Sequence, residues 1–218
     1  MFESPFGAGI IGRAIRNKKI KIKLHQMRDW AWNSYGAVDD KPYGGGVGML
    51  IRVDVVDRAI KEIKSKPLSP PKAGHLPLTG ETVPRIILTS ARGKRFTQKD
   101  ALRLSKEKNI TIICGRYEGF DERISKLVDE EISIGDYVLT GGEIPAMVMI
   151  DSITRLLPGV LGKDESSTEE SFSEDNLIEY PQYTRPAEYN GNKVPEVLLS
   201  GDPKKIKEWQ RSVVKEKK

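Results

Sequence analysis

The chain has 218 residues, of which 38% are hydrophobic and 31% charged, and its net charge is +5 at pH 7. This composition is typical of a soluble globular protein with room for one large domain and one small domain. We expect no membrane span, because no apolar run approaches the ~20 residues that a spanning helix needs. We also expect no secretory leader, because the first residues lack its basic and apolar segments. The basic excess is compatible with nucleic-acid binding but does not require it.

The single cysteine, Cys114, lies in an apolar segment and has no second cysteine with which to form a disulfide in this chain. We therefore expect it to fill core space in the reducing environment of the cytoplasm. This expectation, together with the composition, predicts a cytoplasmic protein.

The first part of the chain shows helix patterns on either side of a strand pattern. Ile20, Ile22 and Leu24 alternate with lysines, which predicts a half-buried strand. Apolar residues at helical spacing predict two amphipathic helices, one with Ile10, Ile11, Ala14 and Ile15 and one with Val56, Ala59, Ile60 and Ile63.

Two segments of this region have the composition of loops. Residues 38–49 contain four glycines between positions 44 and 48. Such a loop could offer its backbone to a flat or phosphorylated ligand, although the residues alone favour a flexible surface loop. Residues 65–84 contain five prolines and no regular pattern, which predicts an exposed insertion.

Three short apolar strands run into glycine loops, at residues 85–93, 110–123 and 134–147. Loops at the carboxyl edge of a parallel sheet are a common place for a ligand, so we predict an α/β protein with a ligand at that edge. No Gly-x-Gly-x-x-Gly follows these strands and no Gly-Lys-Ser/Thr phosphate loop is present. These absences argue against a Rossmann dinucleotide site and against a nucleoside triphosphatase.

The segments between and after these strands contain a helix-capping pair, an acidic run and a long apolar helix pattern. Thr97 and Asp100 resemble a capping pair for a helix that continues to about Lys108. The acidic run 129–131 could be a metal site, but a solvated charge run at the start of a strand is the favoured interpretation. The helix predicted at 143–157 is apolar on nearly every side, so it is either central or buried against a partner subunit.

The last fifty residues begin with an acidic segment. Residues 162–176 carry six carboxylates and few apolar groups, a composition that predicts a mobile linker. Asp202 and Pro203 then predict the start of a last helix. Its apolar face comprises Ile206, Trp209 and Val213, and a basic tail follows it.

Five segments of the sequence resemble the bacterial tRNA (guanine-N1)-methyltransferase family, and they occur in the family's order along most of the chain. They are 38–49, 115–123, 134–146, 158–162 and 183–186. The resemblance implies an α/β fold with a parallel sheet and a deep trefoil knot (SPOUT-like), followed by a small helical C-terminal domain. It divides the chain into a knotted methyltransferase domain at 1–161, the acidic mobile linker at 162–176 and a truncated helical domain at 177–218.

The resemblance also implies an activity. The family transfers a methyl group from S-adenosylmethionine to N1 of the guanine 3′ of the anticodon in tRNA, and it acts as a homodimer with an active site shared between subunits. Such a transfer requires an aligned methyl donor, a base for the N1 proton and a cation or N–H donors near O6. One carboxylate and one arginine would be sufficient for the last two.

Candidate site residues follow from matching positions in the family. Glu170 matches the general base, although the relative compared has Asp there, and Arg155 matches the catalytic arginine. Glu118 matches an acidic residue near the methionine end of the cofactor that could also hold Mg²⁺. The positions matched to RNA contacts are Asp40, Tyr43, Gly44, Gly45 and Gly46. The positions matched to the cofactor pocket are Leu88, Thr89, Ser90, Gly115, Tyr117, Gly119, Ile134, Gly135, Tyr137, Leu139, Gly141, Gly142 and Pro145.

The sequence departs from the family pattern at both ends. It begins without the family's initial apolar strand and stops before the C-terminal helical domain is complete. We expect loss of the strand to weaken the sheet and loss of the helices to weaken binding of tRNA. Two alternatives therefore stay open beside the tRNA enzyme. One is a knotted methyltransferase for another RNA guanine, and the other is a non-catalytic RNA-binding or dimerisation module.

Overall fold

The computed structural model describes residues 1–65, 83–161, 171–172 and 177–216. Contacts between Cα atoms divide the chain into two units, Met1–Leu161 and Gly162–Lys218. Most of the predicted insertion at 65–84 and most of the predicted linker at 162–176, including Glu170, lie outside the described residues.

Among its described residues, the first unit contains five α-helices, two short 3-10 helices (Met27–Trp30 and Glu122–Lys126) and five strands. The α-helices are α1 (Glu3–Gly7), α2 (Gly9–Arg16), α3 (Val53–Ser65), α4 (Gln98–Leu104) and α5 (Glu143–Thr154). The strands are β1 (Asp39–Asp40), β2 (Leu50–Ile51), β3 (Arg85–Arg95), β4 (Ile110–Ile113) and β5 (Glu130–Ser133). Strands β3, β4 and β5 form a parallel sheet in the order β4-β3-β5, which confirms the predicted α/β class and parallel sheet.

The central strand β3 is buried on both faces, as expected for a parallel strand covered by helices. On one face Ile86 and Leu88 pack in a cluster with Val56 and Ile60 of α3. On the other face Ile87 packs with residues of α4 and α5, namely Ala101, Leu104, Met149 and Ile153. The helices therefore enclose the sheet from both sides, and each fully buried isoleucine contributes about 1.5–3 kcal/mol.

The predicted capping pair of α4 is confirmed. The backbone N–H of Thr97 donates to Oδ2 of Asp100 at 3.1 Å, and the backbone N–H of Asp100 donates to Oγ1 of Thr97 at 3.4 Å. The helix ends at Leu104 rather than near Lys108. The hydroxyl of Ser105 donates to the carbonyl of Leu102, a local bond that competes with continued helix.

The strand predicted at 20–24 is wrong. These residues have no strand pairing with any described part of the chain, and Leu24 is 54% exposed. Alternation indicates a segment with one apolar side, but a strand also needs a neighbour for its N–H and C=O groups. The described residues supply no such neighbour at this position.

The acidic run at 129–131 stands at the start of β5, as predicted, and Asp129 is exposed, but Glu130 is not solvated. Asp129 accepts a hydrogen bond from the backbone N–H of Ile86 at 2.7 Å. Glu130 accepts from Nε of Arg85 at 3.0 Å and from Nη2 of Arg103 at 2.7 Å, and its side chain is only 17% exposed. The run therefore joins β5 to β3 and α4 by charge-assisted bonds, which are stronger than neutral ones.

The pKa of Glu130 lies below its ordinary value of 4.5, because hydrogen bonds from Arg103 and Arg85 outweigh the effect of burial, which alone would raise it. A lowered pKa in the folded state stabilises the protein above the pKa of the unfolded state. That contribution is lost as the pH falls through the folded-state pKa.

We expect Glu130→Gln to lower the free energy of unfolding by about 1–3 kcal/mol at pH 7, because both arginines lose a charged acceptor. The difference from wild type should shrink as the pH falls below 4.5. Urea unfolding measured across this pH range checks both points. Glu107→Gln is the matched control, since the described residues give exposed Glu107 no salt bridge. A constant difference down to pH 3 would contradict the ionic explanation.

The second unit contains short strands as well as helices. Strand β6 (Leu177–Ile178) pairs antiparallel with β9 (Lys215–Glu216), and β7 (Glu188–Tyr189) pairs with β8 (Asn192–Lys193). Its helices are α6 (Glu196–Leu199) and α7 (Pro203–Val213). The predicted cap is confirmed, since Oδ1 of Asp202 accepts from the backbone N–H of Lys204 at 3.0 Å. Among the described helices of both units, none has the length and apolar character to cross a membrane.

Candidate functional site

A cavity of about 590 Å³ lies at the carboxyl ends of β3, β4 and β5. This volume falls within the range of small-molecule sites, about 300–1,000 Å³. Its wall is made of the segments that follow the three strands, together with Leu50 of β2 and Pro145 of α5. All thirteen positions matched to a cofactor pocket from sequence line this one cavity.

The strand ends are held together at Gly142. Its backbone N–H donates to the carbonyl of Gly115 at 2.8 Å. A Cβ at this position would lie 2.7 Å from the backbone nitrogen of Gly115 and 2.8 Å from Cα of Cys114, and it would overlap Oγ1 of Thr89. Residue 142 therefore has to be glycine for the loops after β4 and β5 to pack this closely.

A tight turn after β5 shapes the next part of the wall. The hydroxyl of Ser133 donates to the carbonyl of Gly135 at 3.0 Å. The ring of Tyr137 lies directly against Gly135, where a Cβ would overlap it. This turn directs Tyr137, Val138 and Leu139 to the cavity as an aromatic and apolar wall.

Strand β3 leaves the sheet and returns to it beside the cavity. Thr89 and Lys94 are both paired with Ile132 of β5, so the four residues between them bulge out of the ladder. Three of these residues, Ser90, Ala91 and Arg92, line the cavity. Such bulges commonly redirect side chains toward functional sites.

The loop after β4 carries local backbone strain. Tyr117 has a φ of +63°, a conformation that bulky side chains rarely adopt. The residue lines the cavity and is 50% exposed. Strain of this kind persists only where the surrounding contacts enforce it, and it is concentrated at functional sites.

Charged groups in the wall were mostly missed by sequence reasoning, which identified only Glu118. The wall contains four carboxylates and two arginines, namely Glu118, Asp121, Glu122, Glu131, Arg92 and Arg116. Arg92 pairs with Glu122 at 2.6 Å, and this bond raises the pKa of the Arg92 guanidinium. A hydrogen bond from Arg123 lowers the pKa of Asp121. The excess of acidic groups favours a ligand with positive charge.

The glycine-rich loop is attached to the cavity. Strands β1 and β2 pair antiparallel and form the base of a hairpin that contains the loop. The backbone N–H of Met49 donates to Oε2 of Glu118 at 2.8 Å, and the backbone N–H of Ile51 donates to the carbonyl of Gly119 at 2.9 Å. The loop also presents Tyr43, which is fully exposed. The sequence-predicted RNA contacts at Asp40, Tyr43 and Gly44–Gly46 thus belong to a hairpin anchored beside the cavity.

Gly48→Ala should destabilise the folded protein more than Gly44→Ala does. Both glycines have positive φ, of +90° and +86°, but only at Gly48 would a Cβ overlap the carboxylate of Glu118. We expect about 1–2 kcal/mol from backbone strain in each variant and about 1–3 kcal/mol more at Gly48 from the lost Glu118 bond. Urea unfolding of both variants measures the difference. Equal destabilisation would show that the Glu118 attachment contributes nothing.

The described chain does not bring Arg155, one of the sequence-predicted catalytic residues, to the cavity. Arg155 follows the end of α5, ten residues beyond Pro145, so it lies about 15 Å along the helix axis from the wall. Glu170 lies outside the described residues. For the possible Mg²⁺, the described part of the chain contains no group of three or more His, Cys, Asp or Glu side chains suited to a metal ion.

Cys114 lies behind the wall rather than in it. Burial raises the pKa of its thiol to about 12, with a further increase from Glu143 that Arg116 partly offsets. The thiol therefore remains protonated at neutral pH and is a poor nucleophile. This protonation is compatible with the predicted core-filling role.

The comparisons with known proteins agree with one another. The model of the family "tRNA (Guanine-1)-methyltransferase TrmD" matches residues 1–218. A tRNA (guanine-N(1)-)-methyltransferase of Geobacter sp. (strain M21) is 48% identical over 213 residues, which are 97% of this chain and 79% of the relative. The protein of the same name in Bacillus subtilis (strain 168) is 48% identical over 211 residues, 96% of this chain and 81% of the relative.

Proposed function

Because the chain belongs to the tRNA (guanine-1)-methyltransferase family, we propose that it transfers a methyl group from S-adenosylmethionine to N1 of the guanine 3′ of the anticodon in tRNA. The observation that carries the proposal is the single cavity whose wall contains all thirteen positions matched to a cofactor pocket. In this proposal the sheet, the loops after β4 and β5, and α5 form the trefoil-knotted part of the fold.

The cavity has the properties that S-adenosylmethionine requires. Its volume of about 590 Å³ suits a ligand of that size. Several glycines in the wall expose main chain to the cavity, so backbone groups that are not already paired within the loops can bind an adenine edge, while Leu139 and Pro145 supply apolar surface. The excess of carboxylates complements a sulfonium and an ammonium group. When bound there, the cofactor supplies an electrophilic methyl group.

The residues of the chain then have three tasks. The wall holds the donor in line with the attacking nitrogen, because alignment supplies much of the rate enhancement. Glu170, as general base, accepts the N1 proton of the guanine, and Arg155 stabilises the negative charge that develops on O6. The hairpin at 38–51 holds the guanine, since the Met49–Glu118 bond keeps it beside the cavity.

We also propose that the active site is shared between two subunits of a homodimer. Its support is that Arg155 is about 15 Å along α5 from Pro145, further than an arginine side chain of the same chain reaches. The outward face of α5 also exposes two apolar residues, Ile144 at 47% and Val148 at 41%. In a dimer, α5 of one subunit could bring its arginine to the cavity of the other, while its exposed apolar face is covered.

The decisive experiment is mass spectrometry of tRNA from cells that lack this gene and from cells in which it is restored. We expect N1-methylguanine 3′ of the anticodon to disappear and then return. Methylation that returns at a different guanine would identify another RNA target for the same chemistry. No change at any guanine, in cells that produce the folded protein, would reject the proposal.

Cofactor binding by the isolated chain can be tested separately. Calorimetry with S-adenosylmethionine on a sample whose mass has been measured by sedimentation should show binding by a dimer. A folded dimer that binds no S-adenosylmethionine would reject the assignment of the cavity. A folded monomer would reject the shared active site.

A further inference from the structure

Two exposed aromatic side chains belong to a short loop between residues 31 and 37. Trp32 is 56% exposed and Tyr35 is 91% exposed. The loop backbone is held from within, because Nη1 of Arg28 donates to the carbonyl of Gly36 at 2.8 Å and the backbone N–H of Ala37 donates to Oδ1 of Asn33 at 3.0 Å. The loop therefore presents two exposed rings from a backbone that its own hydrogen bonds fix.

The indole of Trp32 has a defined position. The guanidinium of Arg52 lies 5.2 Å from the centre of the Trp32 ring, which is a cation–π contact. Arg52 is itself held by Asp40 at 2.9 Å and by Asp54 at 3.0 Å, and the bond to Asp54 raises the pKa of its guanidinium. The indole therefore rests on a cation that is anchored on two sides.

The Trp32 ring lies beside the hairpin at 38–51, because Arg52, which it contacts, is bonded to Asp40 of that hairpin. Arg52 follows β2, and its backbone N–H donates to the carbonyl of Val38 at 2.9 Å. Leu50, two residues earlier in the extended chain, lines the cavity. Two extended residues span about 7 Å, which is about twice the ~3.4 Å spacing of stacked nucleotides. A polynucleotide whose target guanine is held by the hairpin would therefore place a neighbouring base near Trp32.

We propose that Trp32 and Tyr35 form a stacking platform for the unpaired bases of tRNA that flank the target guanine. This proposal rests on the proposed function, because it takes tRNA as the substrate. An enzyme that acts on a base removes it from its stack, which leaves the neighbouring bases without a partner. Aromatic side chains and arginine planes supply replacement stacking surfaces for such bases.

Stacking differs from phosphate binding in its dependence on salt. Loss of one base–aromatic stack is expected to weaken RNA binding by about 5- to 150-fold, whatever the base. Loss of a phosphate contact instead makes the dependence of affinity on salt shallower by about one unit of slope. Salt titration therefore separates a stacking platform from a merely basic surface.

The test measures binding of a synthetic full-length tRNA with a guanine 3′ of the anticodon, at 50 and 200 mM salt. We expect Trp32→Ala to lose about 5- to 150-fold in affinity, by the same factor at both salt concentrations. Trp32→Phe should retain most of the affinity, because it keeps an aromatic face. Lys41→Ala, a change of charge on the neighbouring hairpin, is the electrostatic comparison.

A second probe locates the stacked base. With the bases next to the target guanine replaced by abasic sites, wild type and Trp32→Ala should bind the tRNA equally. Tyr35→Ala provides an independent variant, because a side chain that is 91% exposed can be removed without disturbing the fold. If Trp32→Ala fails to fold, the test rests on Tyr35→Ala. A loss of tRNA affinity of about 5- to 150-fold in Tyr35→Ala supports the platform, and wild-type affinity of this variant overturns it.

The platform is overturned if folded Trp32→Ala binds the intact tRNA like wild type, or if its loss vanishes at 200 mM salt. That result differs from failure of the proposed function, in which wild type itself methylates no guanine of the tRNA. Wild-type methylation with a silent Trp32→Ala variant would reject the platform alone.

Discussion

Replacement of Glu170 by glutamine is expected to lower the single-turnover rate of methyl transfer by about 100- to 10,000-fold, the usual contribution of a general base. Glutamine has the size of glutamate but cannot accept the N1 proton of the guanine. Glu170 lies outside the described residues, so its assignment as general base rests on the family match. Affinity for S-adenosylmethionine should barely change, since the cavity wall comes from the strand-end loops. Rapid quench with labelled donor measures the rate.

Two neighbouring variants serve as controls for Glu170. Glu170→Asp should retain more activity than Glu170→Gln, because it stays ionised although it is shorter. Glu169→Gln removes an adjacent charge of the same acidic segment and should be nearly silent. A wild-type rate in Glu170→Gln would reject the assignment, and Glu118, which lines the cavity, would become the leading candidate.

Gly142→Ala is expected to abolish cofactor binding and to destabilise the fold by about 3 kcal/mol or more, at the upper end for overpacked sites. The added Cβ would lie 2.7 Å from the backbone nitrogen of Gly115 and 2.8 Å from Cα of Cys114. Backbone atoms cannot rotate away, so the loops after β4 and β5 must separate. Urea unfolding gives the stability and calorimetry with S-adenosylmethionine gives the binding.

Gly7→Ala is the matched control for Gly142→Ala. Nothing lies within 4 Å of a Cβ at Gly7, which is the last residue of α1. The control should therefore fold and bind like wild type. Wild-type stability and binding in Gly142→Ala would show that the contact between the two loops is looser than the geometry indicates.

The elements that could be predicted from sequence are those whose signals are local or periodic. The strand of Ile86, Ile87 and Leu88 is apolar without interruption because both its faces are covered. The Thr97 cap needs only a residue three positions later. The thirteen positions that the family match assigns to a cofactor pocket all line one cavity, and their role stays a prediction.

The features that could not be predicted depend on partners distant in the chain. The alternation of Ile20, Ile22 and Leu24 contains no information on whether a neighbouring strand is present. Glu130 appeared solvated because Arg85 and Arg103 are far from it in sequence, although both contact it. Arg92 was missed for a similar reason, since the bulge that directs it into the cavity is defined only by the pairing of β3 with β5.

The cavity exists only after β3, β4 and β5 have paired, so an unfolded chain lacks the site that we propose for the methyl donor. Any ligand that binds only the native state stabilises it by mass action, by about 2.7 kcal/mol at a hundred times its dissociation constant. A cell rich in methyl donor would thereby keep more of this protein folded and out of reach of proteases.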